Sequence, residues 1–374
     1  MKEGWEYKKL GDLCQVLDSQ RKPVTKKDRT KGIYPYYGAT GIQDYVDSYI
    51  FDGRFLLVGE DGAKWGASDK TAYIIEGKSW VNNHAHILKV LENVNERLLE
   101  YYLTFKDLSE YITGAVVPKL TQKALVSIPI PIPPLSEQQH IVEELDLLSS
   151  IIEKKKTQLR ELDNLAQSLF YEMFGDPITN ERKWNTLPLG QLSNMVRGPF
   201  GSALKKEFFV PQSKDTYKVY EQKHAIQKDD KIGDYYISKE KFEELRRFEV
   251  FSGDIIMSCS GTIGEFFEIP QGACRGVMNQ ALLKFKLNEA LINKDYFLFV
   301  MQYVKKNFTV HGSGLQNIGS VKVIKSVRIG IPSLDLQSCF SQRLRAINET
   351  KILIKKSIEE VETLFNSRMD YYFN

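Results

Sequence analysis

Long apolar runs are missing from this sequence of 374 residues, and cysteine is scarce. Without an apolar run of about 18 residues, no membrane-spanning helix is expected. Residues 1–5, MKEGW, lack the apolar core of a signal peptide, so we expect a cytoplasmic protein. The four cysteines are scattered and form no Cys-x-x-Cys pair, which predicts free thiols and neither a disulfide framework nor a cysteine-based zinc site.

Catalytic signatures are missing as well. The sequence has no Gly-x4-Gly-Lys-Ser/Thr loop to hold phosphates, and no Asn/Asp-Pro-Pro-aromatic run of the kind that amino-methyltransferases use on a flipped base. His84 and His86 come closest to a metal motif, but their alternation is more typical of two residues on one face of a strand. We therefore predict no catalytic residue, no metal ligand and no enzyme activity in this chain.

What the sequence does contain is a duplication. The pattern Trp-x4-Leu-Gly-x-Leu begins at Trp5 and again at Trp184, 179 residues later. An Ile-Pro-x-Leu hinge begins at Ile132 and again at Ile331, 199 residues later. These matches keep a common order, which predicts a two-fold internal repeat. Nearly all of the length difference falls in residues 17–52 against residues 197–252, and such variable segments are usually surface loops that carry function.

Each hinge is followed by a long helical pattern with one apolar seam. The first seam runs from Ile141 to Met173 in steps of three and four, interrupted by Lys155, and the second lies 199 residues later with Lys351 as its own lysine. This heptad spacing is typical of helix-on-helix packing, although each helix could instead bury its seam on its own globular domain. Ser136 and Asp335 are the predicted N-caps.

The predicted fold class is α+β, with two globular domains separated by two long antiparallel helices that form a coiled coil, related by a pseudo-two-fold internal repeat. The first globular domain is predicted at residues 1–135 and its helix at residues 136–175. The second domain is predicted at residues 176–334 and its helix at residues 335–374.

The variable segments supply candidate DNA-binding residues. The net charge of +3 is only mildly basic, so the argument depends on local patches. Residues 19–32 hold six basic side chains against one acid, with tyrosines directly after them, and the second copy has a basic segment of its own. Such groups contact phosphates and base edges, although a solvated charged surface remains the simpler alternative. The candidates are Arg21, Lys22, Lys26, Lys27, Arg29, Lys31 and Tyr37 in the first copy, and Arg197, Ser202, Lys205, Lys206, Gln222 and Lys223 in the second.

Three stretches carry a resemblance to a known family. They are "IPIPPLSEQQHIVEELD" before a long helix that ends in "FGDP", "YPYYGATGIQDYVDSYIFDG", and "RGPFGSALKKE". The chain resembles, from end to end, the DNA-specificity subunit of type I restriction–modification systems. The combination is more specific than any one stretch. The family fixes no small set of contact residues, so the DNA-binding candidates rest on residue type alone.

The resemblance implies a division of labour. It implies a non-catalytic subunit whose two target-recognition domains each read one half of a bipartite DNA site, while the helices set the spacer and dock two methyltransferase (modification) subunits. Restriction/translocase subunits complete the complex. No cofactor is expected in this chain, whereas S-adenosylmethionine, ATP and Mg belong to the partner subunits. Two alternatives stay open from the residues alone: a methyltransferase or nuclease with an unrecognised site, and a scaffold that binds only proteins.

Overall fold

The computed structural model describes residues 4–305, 310–311, 317–318 and 321–374. The chain is a mixed α+β protein, as predicted, and it divides into two compact units. Unit 1 comprises Met1–Gln158 and Ile354–Asn374, and unit 2 comprises Leu159–Leu353. None of the helices in this described part of the chain has the length and apolarity that a membrane crossing requires.

Among the described residues of unit 1, ten strands and three short helices precede the first long helix. The strands are β1 (Glu6–Lys9), β2 (Cys14–Val16), β3 (Lys31–Gly38), β4 (Gly41–Val46), β5 (Phe51–Gly59), β6 (Ala72–Val81), β7 (Ala85–Val90), β8 (Ile112–Thr113), β9 (Lys119–Leu120) and β10 (Pro129–Ile132). The helices are α1 (Leu10–Leu13), α2 (Glu96–Phe105) and α3 (Gln122–Ser127). The long helix α4 (Leu135–Phe174) then belongs partly to each unit.

Unit 2 repeats this order with more, shorter strands. The strands are β11 (Thr186–Pro188), β12 (Ser193–Arg197), β13 (Tyr217–Tyr220), β14 (Tyr236–Ile237), β15 (Glu249–Val250), β16 (Ile255–Ser258), β17 (Phe266–Glu268), β18 (Gly276–Met278), β19 (Leu282–Leu287), β20 (Val310–His311), β21 (Asn317–Ile318) and β22 (Arg328–Gly330). The helices are α5 (Leu189–Leu192), α6 (Gln222–Gln227), α7 (Lys239–Glu244), α8 (Lys294–Val304) and α9 (Val321–Ser326). The second long helix, α10 (Leu334–Phe373), again belongs partly to each unit.

The main sheets of the two units have a common strand arrangement. In unit 1 the strand order is β2-β7-β5-β6-β3-β4, and in unit 2 the order β12-β19-β16-β17 matches its first four strands. Strand β5 is buried on both faces, because Leu56 and Val58 join one hydrophobic cluster while Phe55 and Leu57 join another. Strands β13, β14 and β15 lie in the longer variable segment, and they form a separate sheet with the later strand β18 in the order β14-β13-β18-β15.

The repeated Leu-Gly pair marks a close approach between two helices. A Cβ at Gly11 would lie 2.9 Å from Cβ of Val126, and a Cβ at Gly190 would lie 3.2 Å from Cβ of Lys325. Glycine therefore lets α1 contact α3 in unit 1, and lets α5 contact α9 in unit 2.

The repeated hinge is held by a buried glutamine in each copy. In unit 1 the side chain of Gln138 donates to the carbonyl of Pro133 (3.0 Å) and accepts from the backbone N–H of Asn95 (2.8 Å). In unit 2 the side chain of Gln337 donates to Pro332 (2.8 Å) and accepts from Asn293 (2.7 Å). Each glutamine thus ties the start of a long helix to the start of α2 or α8.

Replacing the hinge glutamines is expected to destabilise the chain. Gln138→Leu or Gln337→Leu leaves a buried N–H and a buried carbonyl without a partner, which costs about 1–3 kcal/mol. Urea denaturation measures the free energy of unfolding of each variant. The exposed neighbour Gln139 provides the matched control, Gln139→Leu, which is expected to stay within about 0.5 kcal/mol. Equal losses in all three variants would contradict this role of the hinge.

The predicted N-caps are wrong by a small shift. Helix α4 begins at Leu135 and α10 begins at Leu334, so Ser136 and Asp335 lie inside their helices. The carbonyl of Pro134 accepts from the backbone N–H of Gln138 (3.0 Å) and so starts the first helix directly after the hinge. In the second copy, the hydroxyl of Ser333 accepts from the backbone N–H of Leu336 (3.4 Å).

The two long helices contact each other within each unit. In unit 1, Glu144 of α4 accepts from Arg368 of α10 (2.9 Å), and Lys156 lies 3.1 Å from Glu362. The position on α10 falls as the position on α4 rises, so the helices are antiparallel there.

The same direction holds in unit 2. There the rings of Phe170 and Phe340 lie 5.6 Å apart, and Lys351 forms an ion pair with Asp163. The seam lysine Lys351 therefore has an acidic partner on the facing helix, while the side chain of Lys155 is partly buried.

Candidate nucleic-acid interface

The basic loop of unit 1 is anchored by its first arginine. The guanidinium of Arg21 lies 3.3 Å from Asp18 and 2.5 Å from Glu60, and it donates to the carbonyl of Ala85 (2.8 Å). Only 12% of the Arg21 side chain is exposed. This geometry favours a structural role for Arg21, with its charge directed into the protein and not towards a phosphate.

Glu60 is the centre of a buried charged network. It also pairs with Lys119 at 2.5 Å, and His86 bonds both Asp18 (2.6 Å) and the carbonyl of Leu120 (2.7 Å). Burial would raise the pKa of Asp18, but the hydrogen bond and charge of His86 lower it. The carboxylate of Asp18 is therefore held ionised.

This network has the residue types of a metal site. The ligand atoms of Asp18, Glu60 and His86 lie within 4.8 Å of one another. Arg21 and Lys119 already neutralise the same carboxylates, so the cluster fits an ion-pair network better than a cation site. His84, the other candidate considered from sequence, precedes strand β7 and pairs with Asp61.

Four lysines of the loop face solvent. Lys22, Lys26, Lys27 and Lys31 are exposed, and two of them lie on a short 3-10 turn, Lys26–Asp28. These ammonium groups are placed where a phosphate backbone could reach them.

Two further candidates of the first copy are engaged within the unit. The guanidinium of Arg29 lies 4.2 Å from the ring centroid of Tyr36 and 3.1 Å from Asp44. Tyr37 is partly buried with its ring centroid 6.0 Å from that of Tyr73, and burial raises its pKa. Arg29 therefore links β3 to β4, and Tyr37 packs β3 against β6.

Three candidates of unit 2 lie on or directly after one turn. Ser202 is an exposed residue of the 3-10 turn Gly201–Leu204, and the exposed residues Lys205 and Lys206 follow it. Arg197 ends β12 and donates to the carbonyl of Gln280 (3.3 Å). The turn thus presents one hydroxyl and two ammonium groups.

Helix α6 carries the last two candidates. Lys223 lies 2.9 Å from Glu221, and this hydrogen bond raises the pKa of Lys223. The amide oxygen of Gln222 is buried without a hydrogen-bond partner in the part of the chain that the structure describes. The DNA contacts of all thirteen candidates stay a prediction, and the geometry favours the exposed lysines over the engaged arginines.

Sequence reasoning missed two exposed apolar features. The side chain of Phe200, just before the turn in unit 2, is 89% exposed. Val116 and Val117 are exposed at the tip of the hairpin formed by β8 and β9. Gly114 and Pro118 flank the valine pair and signal a turn, but a turn does not by itself indicate a binding site.

Comparisons with known proteins cover nearly the whole chain. The family model described as "Type I restriction modification DNA specificity domain" matches residues 2–164 and again residues 181–363. A Haemophilus influenzae protein, S.HindORF215P, a type I restriction enzyme specificity subunit by name, is 32% identical over 338 residues, covering 89% of this chain and 84% of that protein. The MjaVIII specificity subunit of Methanocaldococcus jannaschii is 21% identical over 395 residues, covering 96% of this chain and 90% of its own length.

Solved structures show a similar fold. The type I restriction–modification S subunit from M. genitalium aligns with a TM-score of 0.58 at 13% identity, covering 98% of this chain and 95% of its own. A chain from a structure of the type I R-M system, described in terms of its complex assembly and conformational transition, aligns with a TM-score of 0.59 at 14% identity, covering 100% of this chain and 98% of its own. At these identities the similarity concerns the fold.

Proposed function

The chain belongs to the family of type I restriction–modification DNA-specificity proteins, and we propose that each of its two units reads one half of a bipartite DNA site. It is a DNA-recognition subunit and not an enzyme, since catalysis in these systems lies in other subunits. Of the three functions left open by the residues alone, DNA recognition is therefore the one that holds.

One observation carries the proposal of two half-sites. Both units share a sheet order, a hinge and a helix pair, yet residues 17–52 and residues 197–252 differ in length and sequence. A shared scaffold with different loops is suited to reading two different sequences with one binding geometry.

The finer architecture follows from the long helices. We propose target-recognition domains at residues 1–135 and 176–334, joined by helices at residues 136–175 and 335–374. The antiparallel contacts within each unit support a coiled coil of α4 and α10. Such a pair would fix the spacing between half-sites and offer two equivalent docking places to two methyltransferase subunits.

The partners supply the chemistry in this proposal. This subunit works in a complex with other subunits and with DNA. We propose that the complex contains two modification subunits that bind S-adenosylmethionine, flip an adenine and transfer the methyl group. Restriction/translocase subunits would use ATP and Mg, and this chain would need no cofactor of its own.

Removing the exposed loop lysines is expected to weaken DNA binding. Lys22→Ala, Lys26→Ala and Lys27→Ala together remove up to three phosphate contacts, each worth about 0.9 in the slope of log K against log salt. Fluorescence anisotropy of the assembled methyltransferase complex on duplex DNA measures the slope. We expect a slope smaller by about 2–3 and an affinity reduced by roughly 10- to 100-fold at moderate salt.

The matched control uses three other exposed lysines of unit 1, outside the loop. They are Lys9, Lys89 and Lys123. Their triple alanine variant is expected to keep the salt slope of the original protein. Equal slopes for the two triple variants would show that the loop does not contact the phosphates.

A further inference from the structure

The hairpin of unit 1 presents two valines on a constrained tip. Strands β8 and β9 pair in antiparallel fashion, and Gly114 adopts a φ of +94° between them. A Cβ at Gly114 would lie 2.4 Å from the carbonyl oxygen of Val117, so the turn requires glycine. Val116 is 94% exposed and Val117 is 62% exposed. The tip is thus a small, shaped apolar surface.

The hairpin and the basic loop share one anchor. The backbone N–H of Leu120 donates to the carbonyl of Glu60 (2.8 Å), and Lys119 pairs with the Glu60 carboxylate. The same carboxylate holds Arg21, which anchors the loop that presents the exposed lysines. The hairpin and the first basic residue of the loop are therefore both tied to Glu60, directly after β5.

The internal repeat contains the hairpin twice, at constant length. Strands β20 and β21 pair in unit 2, and each lies 198 residues after its counterpart, β8 or β9. The sequences are ITGAVVPKL at residues 112–120 and VHGSGLQNI at residues 310–318, so glycine holds the third position in both. The four residues after that glycine all differ, AVVP against SGLQ.

Paired strands at equal spacing, joined by different residues, suit the reading of two different half-sites. Contacts from lysines to phosphates position DNA but do not distinguish sequences. Valine cannot form side-chain hydrogen bonds, so its means of discrimination is apolar contact. In the major groove the apolar group that differs between bases is the C5-methyl of thymine.

We infer that Val116 and Val117 form a specificity element that contacts a thymine methyl group in the half-site read by unit 1. This inference rests on the proposed function and names one of its base-reading groups. In this arrangement the lysines of the loop contact the phosphates, and the tip enters the major groove.

Deoxyuridine provides the probe, because it lacks only the thymine methyl. The chain is assembled with its modification subunits and its methylation motif is determined. Each thymine of that motif is then replaced singly by deoxyuridine, and Kd is measured by competition. For the original complex, deoxyuridine at one position in one half-site is expected to reduce the affinity about three- to tenfold. This is close to the contribution of one buried methyl group.

The double variant Val116→Ala and Val117→Ala should bind the thymine duplex three- to tenfold more weakly and lose little more on the deoxyuridine duplex. Leu91→Ala is the matched control. Leu91 is 46% exposed and directly follows Val90, the last residue of β7, whereas the hairpin is tied to Glu60 near the first residue of β7. It is expected to keep the affinity and the full thymine preference.

Three results would overturn the inference. One is a double variant that keeps the original thymine preference at every position. Another is an original complex that binds every singly substituted deoxyuridine duplex as tightly as the thymine duplex. The third is a double variant that no longer assembles with the modification subunits, which would make the tip a protein contact. A complex without any sequence preference would instead refute the proposed function, so the two failures are distinguishable.

Discussion

Exchanging residues 1–134 for the matching segment of a relative with a different DNA site is expected to change one half-site and leave the other intact. The exchange ends before α4 begins at Leu135, so both long helices keep their sequences. Each mismatched base pair costs about 1–3 kcal/mol, so about three mismatched pairs in one half-site predict a loss of roughly 10²-fold or more on the original DNA. Sequencing of methylated positions in DNA treated with the assembled complex measures the new motif.

The reciprocal exchange controls for damage to the fold. Replacing residues 176–333 is expected to change the other half-site, with the same spacer in both chimaeras. If either exchange altered both half-sites together, the assignment of one half-site to each unit would be wrong.

Lengthening both long helices by one heptad is expected to change the spacer. Seven residues inserted after Gln158 in α4 and after Leu353 in α10 lie at the boundaries between the units, so the ion pairs of Lys156 and Lys351 stay intact. The insertion adds about 10 Å at 1.5 Å per residue, close to three base pairs of DNA. Affinity for the original site should fall by roughly 100-fold or more, and a site with about three more spacer pairs should be preferred.

A loop insertion provides the control for chain length. Seven residues placed within the exposed segment 211–215 of unit 2 are expected to leave the spacer unchanged. If the variant with one heptad inserted in each long helix bound the original site with full affinity, the helices would not set the spacing.

The repeat and the long helices could be predicted from sequence because their signals are periodic and local. The Leu-Gly pair returns at Gly11 and Gly190, where side-chain atoms of a second helix leave no room for a Cβ. The apolar seam repeats every three or four residues, and its members Ile141 and Phe340 are fully buried. In such cases the residues that define the pattern are also the ones that make the contacts.

The arginines of the loop show where this reasoning ends. Arg21 lies in a basic stretch and its charge is the same as that of Lys22, but its guanidinium meets Glu60, 39 residues away. Only the register of β5 and β7 brings that carboxylate and the carbonyl of Ala85 to the loop. Charge patterning cannot distinguish an internal ion pair from a free cation, since both have the same local sequence.

The hairpin was missed for a related reason. A valine pair usually predicts burial, and the turn signal from Gly114 and Pro118 does not say that Val116 itself would be exposed. Strands β20 and β21 each lie 198 residues after their counterparts β8 and β9, and only the structure gives the bounds of these four short strands.

The methylation motif written by the assembled complex tests the central claim most directly. This chain and its modification subunit are expressed in cells whose DNA carries no other methylation. Every methylated adenine in that DNA is then located by sequencing. The account predicts one motif with two specified segments, separated by a fixed number of unspecified base pairs, which disappears when this chain is omitted. A single contiguous motif, or a motif that persists without this chain, would contradict it.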